Sequence, residues 1–97
     1  MGILDKAVEK YGERQLDQAQ EELAELIVAI SKYKRVSAKE EGRTIVRAIN
    51  DVIEEIADVR IMIKQVMMLL DISETEVSNI EISKLNRLEK RMNREGN

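Results

Sequence analysis

Residues 44–70 read TIVRAINDVIEEIADVRIMIKQVMMLL, and this stretch decides the fold. Ile45, Ile49, Val52, Ile53, Ile56, Val59, Ile63, Met67 and Leu70 recur at the spacing of one face of an α-helix. No proline interrupts them, and glycine is confined to positions 2, 12, 42 and 96. Beyond Ala57 the helix gains Ile61, Met62, Met68 and Leu69 off the main stripe. A helix apolar on more than one face is buried on more than one face, so a homo-oligomeric interface is expected there. The alternative is a monomer in which the first and last helices cover both faces.

Working outward, residues 35–42 (RVSAKEEG) read as a polar connection with a turn of helix after Ser37. Before them, Leu16, Ala19, Leu23, Leu26, Ile27 and Ile30 mark a second helix from about Glu13 to Lys34. Ile3, Leu4, Ala7, Val8 and Tyr11 form one face of a short first helix ending at Gly12. After Leu70, Ser73-Glu-Thr-Glu76 is a capping box, and Ile72 and Val77 take the positions of a hydrophobic staple. They open a fourth helix through Ile80, Leu85, Leu88 and Met92. The expected fold is one all-α domain over residues 1–97: a short N-terminal helix, a long antiparallel hairpin and a C-terminal helix, forming bundles by oligomerisation.

The chain contains no Cys and no His, which excludes thiolate sites, disulfides and imidazole chemistry. Any metal must be held by oxygen, which favours Mg²⁺ or Mn²⁺. The opening Met-Gly-Ile-Leu-Asp-Lys has no signal-peptide pattern, and the most apolar run, 61–70, is too short to span a bilayer. A cytoplasmic protein without a membrane partner is expected. A net charge of −3 and an aromatic complement of Tyr11 and Tyr33 argue against nucleic-acid polymers as partners.

Two acidic spacings stand out: Glu22-Leu-Ala-Glu25 and Glu55-Ile-Ala-Asp58. Taking Leu23 and Ile56 as stripe centres, Glu22 and Glu55 lie about 100° away and Glu25 and Asp58 about 160° away, in the same sense. In an antiparallel hairpin packed stripe to stripe, equal offsets fall on the same side, so all four carboxylates face one groove. Two such charges about 5 Å apart repel by roughly 3 kcal/mol at an effective dielectric of 20. A divalent cation would turn that repulsion into coordination. The plain alternative is a set of solvated acids paired with lysines. Asp51, Gln15 and Gln18 extend the polar lining. Lys84, Arg87 and Arg91 form a basic stripe on the last helix that, folded back across the hairpin, would meet a phosphate tail. Lys32, Arg35 and Arg43 at the hairpin mouth are further candidates. The plain alternative for both groups is a solvated face, and for the hairpin-mouth residues it is the preferred reading.

At Gln20-Glu-Glu-Leu-Ala-Glu-Leu26 and Glu54-Glu-Ile-Ala-Asp-Val59 the chain resembles a small MazG-like protein of the all-α nucleoside triphosphate pyrophosphatase superfamily. Tyr11-Gly-Glu-Arg-Gln15 and the segment 84–91 (KLNRLEKR) fit the same likeness. The resemblance implies that Glu22, Glu25, Glu55 and Asp58 are catalytic Mg²⁺ ligands. It implies a nucleoside triphosphate substrate cleaved to the monophosphate and pyrophosphate, and a homodimer or homotetramer. Gln15, Lys32, Lys84, Arg87 and Arg91 are then candidate substrate contacts. Two other readings stay open: a same-fold pyrophosphatase acting on a phosphoribosyl nucleotide, and a non-catalytic helical adaptor.

Overall fold

The computed structural model describes residues 2–38 and 42–96. Four helices follow in order: α1 (Ile3–Tyr11), α2 (Arg14–Ser37), α3 (Gly42–Leu70) and α4 (Glu74–Arg94), with no strand among the described residues. The all-α expectation holds. None of the helices is long and apolar enough to cross a membrane.

α2 and α3 form the hairpin. The Gln15 side chain donates to Gln65 at 2.8 Å near one end, and Lys32 meets Asp51 at 3.5 Å nearer the other. These two ties fix an antiparallel register that sets Glu22 and Glu25 level with the segment from Glu55 to Asp58. Both helices run further into the connection than the sequence pattern suggested. Val36 is half-buried in the last turn of α2, so packing extends that helix to Ser37, and α3 begins at Gly42. The rest of the expected connection, 39–41, lies outside the described residues.

The buried side chains of the hairpin are small or slim: Ala19, Ala29, Ala48, Val59 and Met62, with Gln65 also buried. Along α2 the covered positions Gln15, Ala19, Glu22, Leu26 and Ala29 follow alternating steps of four and three, and Val36 follows one heptad after Ala29. Ala48, Val52, Glu55, Val59, Met62 and Val66 do the same on α3. This is the rhythm of a coiled-coil seam, in which alanines let the helix axes approach closely. The seam is therefore turned by about 100° from the stripe centres read in the sequence. Leu23 and Ile56, chosen as those centres, are exposed, as are Ile27, Ile30, Ile49, Ile53 and Ile63.

The helix junctions are locked by local chemistry. Gly12 reverses the chain between α1 and α2 at φ 60° and ψ −140°, a backbone shape that an L side chain rarely adopts. α1 then lies against α3 and, more lightly, α2. At the end of α3, Asp71 takes a left-handed φ of 54°. The Ile72 amide donates to the Met67 carbonyl at 2.9 Å and the Asp71 amide to Met68 at 3.4 Å, a Schellman closure. The capping box follows at once. Ser73 N–H donates to Glu76 Oε2 at 2.7 Å, and Glu76 N–H donates to Ser73 Oγ at 3.1 Å. The hydrogen bonds from the Ser73 backbone and side chain hold the Glu76 carboxyl below its ordinary pKa.

That corner aims α4 away from the rest. Among the described residues α4 packs against none of the other helices, and its large apolar side chains Ile80, Leu85, Leu88 and Met92 are exposed. The last helix does not fold back across its own hairpin.

Candidate metal centre

The acids meet because the register brings two seam positions together that would ordinarily be apolar. Glu22 stands between Ala19 and Leu26 on α2, and Glu55 between Val52 and Val59 on α3; both are half-buried. Asp58, one turn beyond Glu55, is exposed but reaches the same point. Glu22, Glu55 and Asp58 each offer a carboxylate oxygen, and these oxygens lie within 4.8 Å of one another. Glu25 is exposed and outside that tight cluster, yet its charge is felt at Glu55.

Glu55 carries the tension of the site. Its Oε1 is buried and has no hydrogen-bond partner. Burial raises its pKa above the ordinary value of 4.5, and the charges of Glu22, Asp58 and Glu25 push in the same direction. No lysine or arginine answers these charges: among the described residues, ion pairs join Lys32 to Asp51 and Arg91 to Glu95, and none involves the four acids. Glu25 and Asp58 are exposed to solvent, whereas Glu22 and Glu55 are half-buried. Glu22 is instead steadied by Gln18, whose Nε2 donates to Glu22 Oε1 at 3.1 Å.

The other sequence candidates fall in different places. Gln15 spends its amide on Gln65 in the interior. Lys32 sits with Asp51 at an exposed pair worth about 0–1 kcal/mol. Lys84, Arg87 and Arg91 line a cleft with Leu88 and Arg94 on α4, remote from the acids of the same chain.

Arg14, not singled out from the sequence, lies on the same helix ridge as Glu22, two turns before it. With Tyr11, Gln15 and Gln18 it lines an open cleft of about 380 Å³, and its guanidinium lies over the Tyr11 ring at 5.6 Å. The signal was available: Arg14, Gln18 and Glu22 follow at i, i+4 and i+8, which is one ridge of a helix. Gln18 lines this cleft and also donates to Glu22.

Three convergent carboxylates, one with an orphaned buried oxygen and none with a cationic side chain beside it, are a donor set suited to a hard divalent cation. The same set without a cation is a standing electrostatic cost. Comparisons of the chain with models of known protein families, with curated proteins and with solved structures found no match.

Proposed function

We propose that the chain is a Mg²⁺-dependent nucleotide pyrophosphohydrolase, converting a (deoxy)nucleoside triphosphate and water to the monophosphate and pyrophosphate. The observation that carries the reading is Glu55: a carboxylate placed in a helix seam, short of a partner, with Glu22 and Asp58 converging on it. The reaction class comes from the MazG-like resemblance of the two acidic segments, which this geometry supports without naming a substrate.

Glu22, Glu55 and Asp58 would hold the ion, with Glu25 within reach of the same charge. Bound there, Mg²⁺ supplies neutralisation of the polyphosphate and a water of lowered pKa. Gln18 holds the Glu22 carboxylate, one of whose oxygens lies within 4.8 Å of those of Glu55 and Asp58. Arg14, in the cleft that Gln18 also lines, supplies a cationic fork for phosphate oxygens, and the Tyr11 ring offers a flat apolar surface beside it. The same reading takes the working unit as a homodimer or homotetramer.

A screen for pyrophosphate release over canonical and damaged nucleotides, with Mg²⁺ or with EDTA, tests this directly. Release from at least one nucleotide that EDTA abolishes supports the proposal; metal-independent release, or none with any nucleotide, contradicts it. A phosphoribosyl nucleotide belongs in the same panel. A purely adaptor role would account for the exposed apolar surface but leaves unexplained two acids in a helix seam with a third converging on them.

A further inference from the structure

α3 carries a row of polar side chains beside the seam, in which Asp51, Asp58 and Gln65 recur at heptad spacing. Each of the three reaches across to α2. Asp51 meets Lys32 at 3.5 Å, an oxygen of Asp58 lies within 4.8 Å of one of Glu22, and Gln65 Oε1 accepts from Gln15 Nε2 at 2.8 Å. Two attractive contacts therefore bracket one that is repulsive in the absence of a cation. Gln15 and Glu22 are also one heptad apart, so in the antiparallel pair Glu22 stands to Asp58 as Gln15 stands to Gln65. The amide pair and the acid pair are successive crossings of the same two rows.

The two brackets are unequal. Lys32 and Asp51 are about half exposed, so water and salt screen their attraction. Gln65 is 2% exposed, and its amide is engaged at both ends: Oε1 accepts from Gln15, while Nε2 donates to the Ile61 carbonyl at 3.4 Å and to Met62 Sδ at 3.5 Å. A short hydrogen bond sealed from water is directional, whereas apolar seam contacts such as those of Ala19 and Met62 are not. The amide pair is also the nearer anchor. Glu22 lies about 10.5 Å along α2 from Gln15 but about 22 Å from the end of that helix at Ser37. Asp58 lies about 10.5 Å from Gln65 but about 24 Å from the start of α3 at Gly42. The turn of the hairpin holds the acids by a longer lever than the amides do.

We infer that Gln15 and Gln65 are positioning residues: their amide pair holds α2 and α3 at the register and spacing where Glu22, Glu55 and Asp58 converge, against the mutual repulsion of those acids. A polar pair in a helix seam costs stability relative to apolar side chains and selects one alignment of the helices. Here the selected alignment is the one that assembles the carboxylates. Gln15 thus acts through the helix pair and not on a substrate. The inference rests on the proposed metal reading for its effect on Mg²⁺ affinity, and the alignment itself does not depend on that reading.

Titration calorimetry with Mg²⁺ on the wild type, Gln15→Met, Gln65→Met and the double variant tests it, since methionine keeps the length of the side chain and removes the hydrogen bond. Each single variant is expected to bind Mg²⁺ about tenfold more weakly, and the double variant no worse than either single, because the same tie is lost in all three. The melting temperature of the double variant in EDTA is expected to equal or exceed that of the wild type, so that lost affinity is not lost folding. Full affinity in the double variant, or losses that multiply as two independent packing defects do, would overturn the inference. A second readout needs neither metal nor substrate. The chain has no cysteine, so the exposed Gln20 and Arg60 can be spin-labelled as Gln20→Cys/Arg60→Cys, diluted with unlabelled chain and measured in EDTA. One narrow distance distribution is expected with the amide pair intact, and a broader or displaced one with both glutamines replaced; identical distributions contradict the inference. Should the double variant unfold, Gln15→Met, at the half-buried end of the pair, carries the same two comparisons. A wild type that binds no Mg²⁺ refutes the metal reading and leaves the distance measurement to decide the role of the amides.

Discussion

Glu55 occupies a position whose neighbours along the seam of α3 are Ala48, Val52, Val59 and Met62. An aliphatic side chain there would pack; a carboxylate instead loses hydration and faces two further acids. Its folded-state pKa is raised, so folding favours the protonated form. That contribution is fully present below the ordinary carboxylate value of 4.5 and is lost as pH rises through the folded pKa. Without divalent ions, the melting temperature of the wild type is expected to fall as pH climbs above that range, and Glu55→Gln to melt higher than wild type at pH 7–8. Thermal denaturation in EDTA across pH checks this, and a lower melting temperature for Glu55→Gln at neutral pH would count against it. If the proposed Mg²⁺ site holds, adding the ion is expected to reverse the ranking, since at about 100 times its dissociation constant it would stabilise the wild type by roughly 2.7 kcal/mol. Gln18→Ala releases the Glu22 carboxylate and is expected to weaken Mg²⁺ by about 10–100-fold, read from the midpoint of that thermal shift.

At the scale of elements, the helices and their junctions were legible in the sequence because their signals are local. The Ser73–Glu76 capping box is formed as read, and Gly12 marks the α1–α2 break. Ser73→Ala is expected to cost about 1 kcal/mol of stability in chemical denaturation. What local signals did not carry was rotation. The aliphatic stripe of α3 is wide, and its brightest residues, Ile49, Ile53 and Ile56, drew the expected helix contact toward themselves. The chain pairs through the edge of that stripe, where Ala19, Ala29 and Ala48 permit close approach, and leaves the bulky residues outside. Glu22 and Glu55 thereby moved from the border of a groove into the seam, and Glu25 moved out of the tight cluster. The convergence of Glu22, Glu55 and Asp58 survived this turn, because equal offsets on an antiparallel pair move together. The α4 basic stripe did not follow, since its placement depends on the Asp71–Ser73 corner, whose left-handed Asp71 has no distinctive sequence mark.

For the whole molecule, shape and function are linked through what the chain leaves uncovered. Its radius of gyration is 17.5 Å, against about 12.5 Å for a compact domain of 97 residues. On the proposed reading, the elongated hairpin with its exposed aliphatic side chains and free fourth helix is one protomer of a homo-oligomer. Its melting temperature is therefore expected to rise with protein concentration, as mass action requires when folding and association are coupled. Calorimetry over a hundredfold concentration range reads this, and a constant value would speak for a self-sufficient monomer.

The central claim is that the converging carboxylates hold the Mg²⁺ of a nucleotide pyrophosphohydrolase, and pyrophosphate release by wild type, Glu55→Gln and Asp58→Asn tests it most directly. The account predicts Mg²⁺-dependent release by the wild type, reduced at least about 100-fold in each variant while helicity is retained. Undiminished release in both folded variants would contradict it.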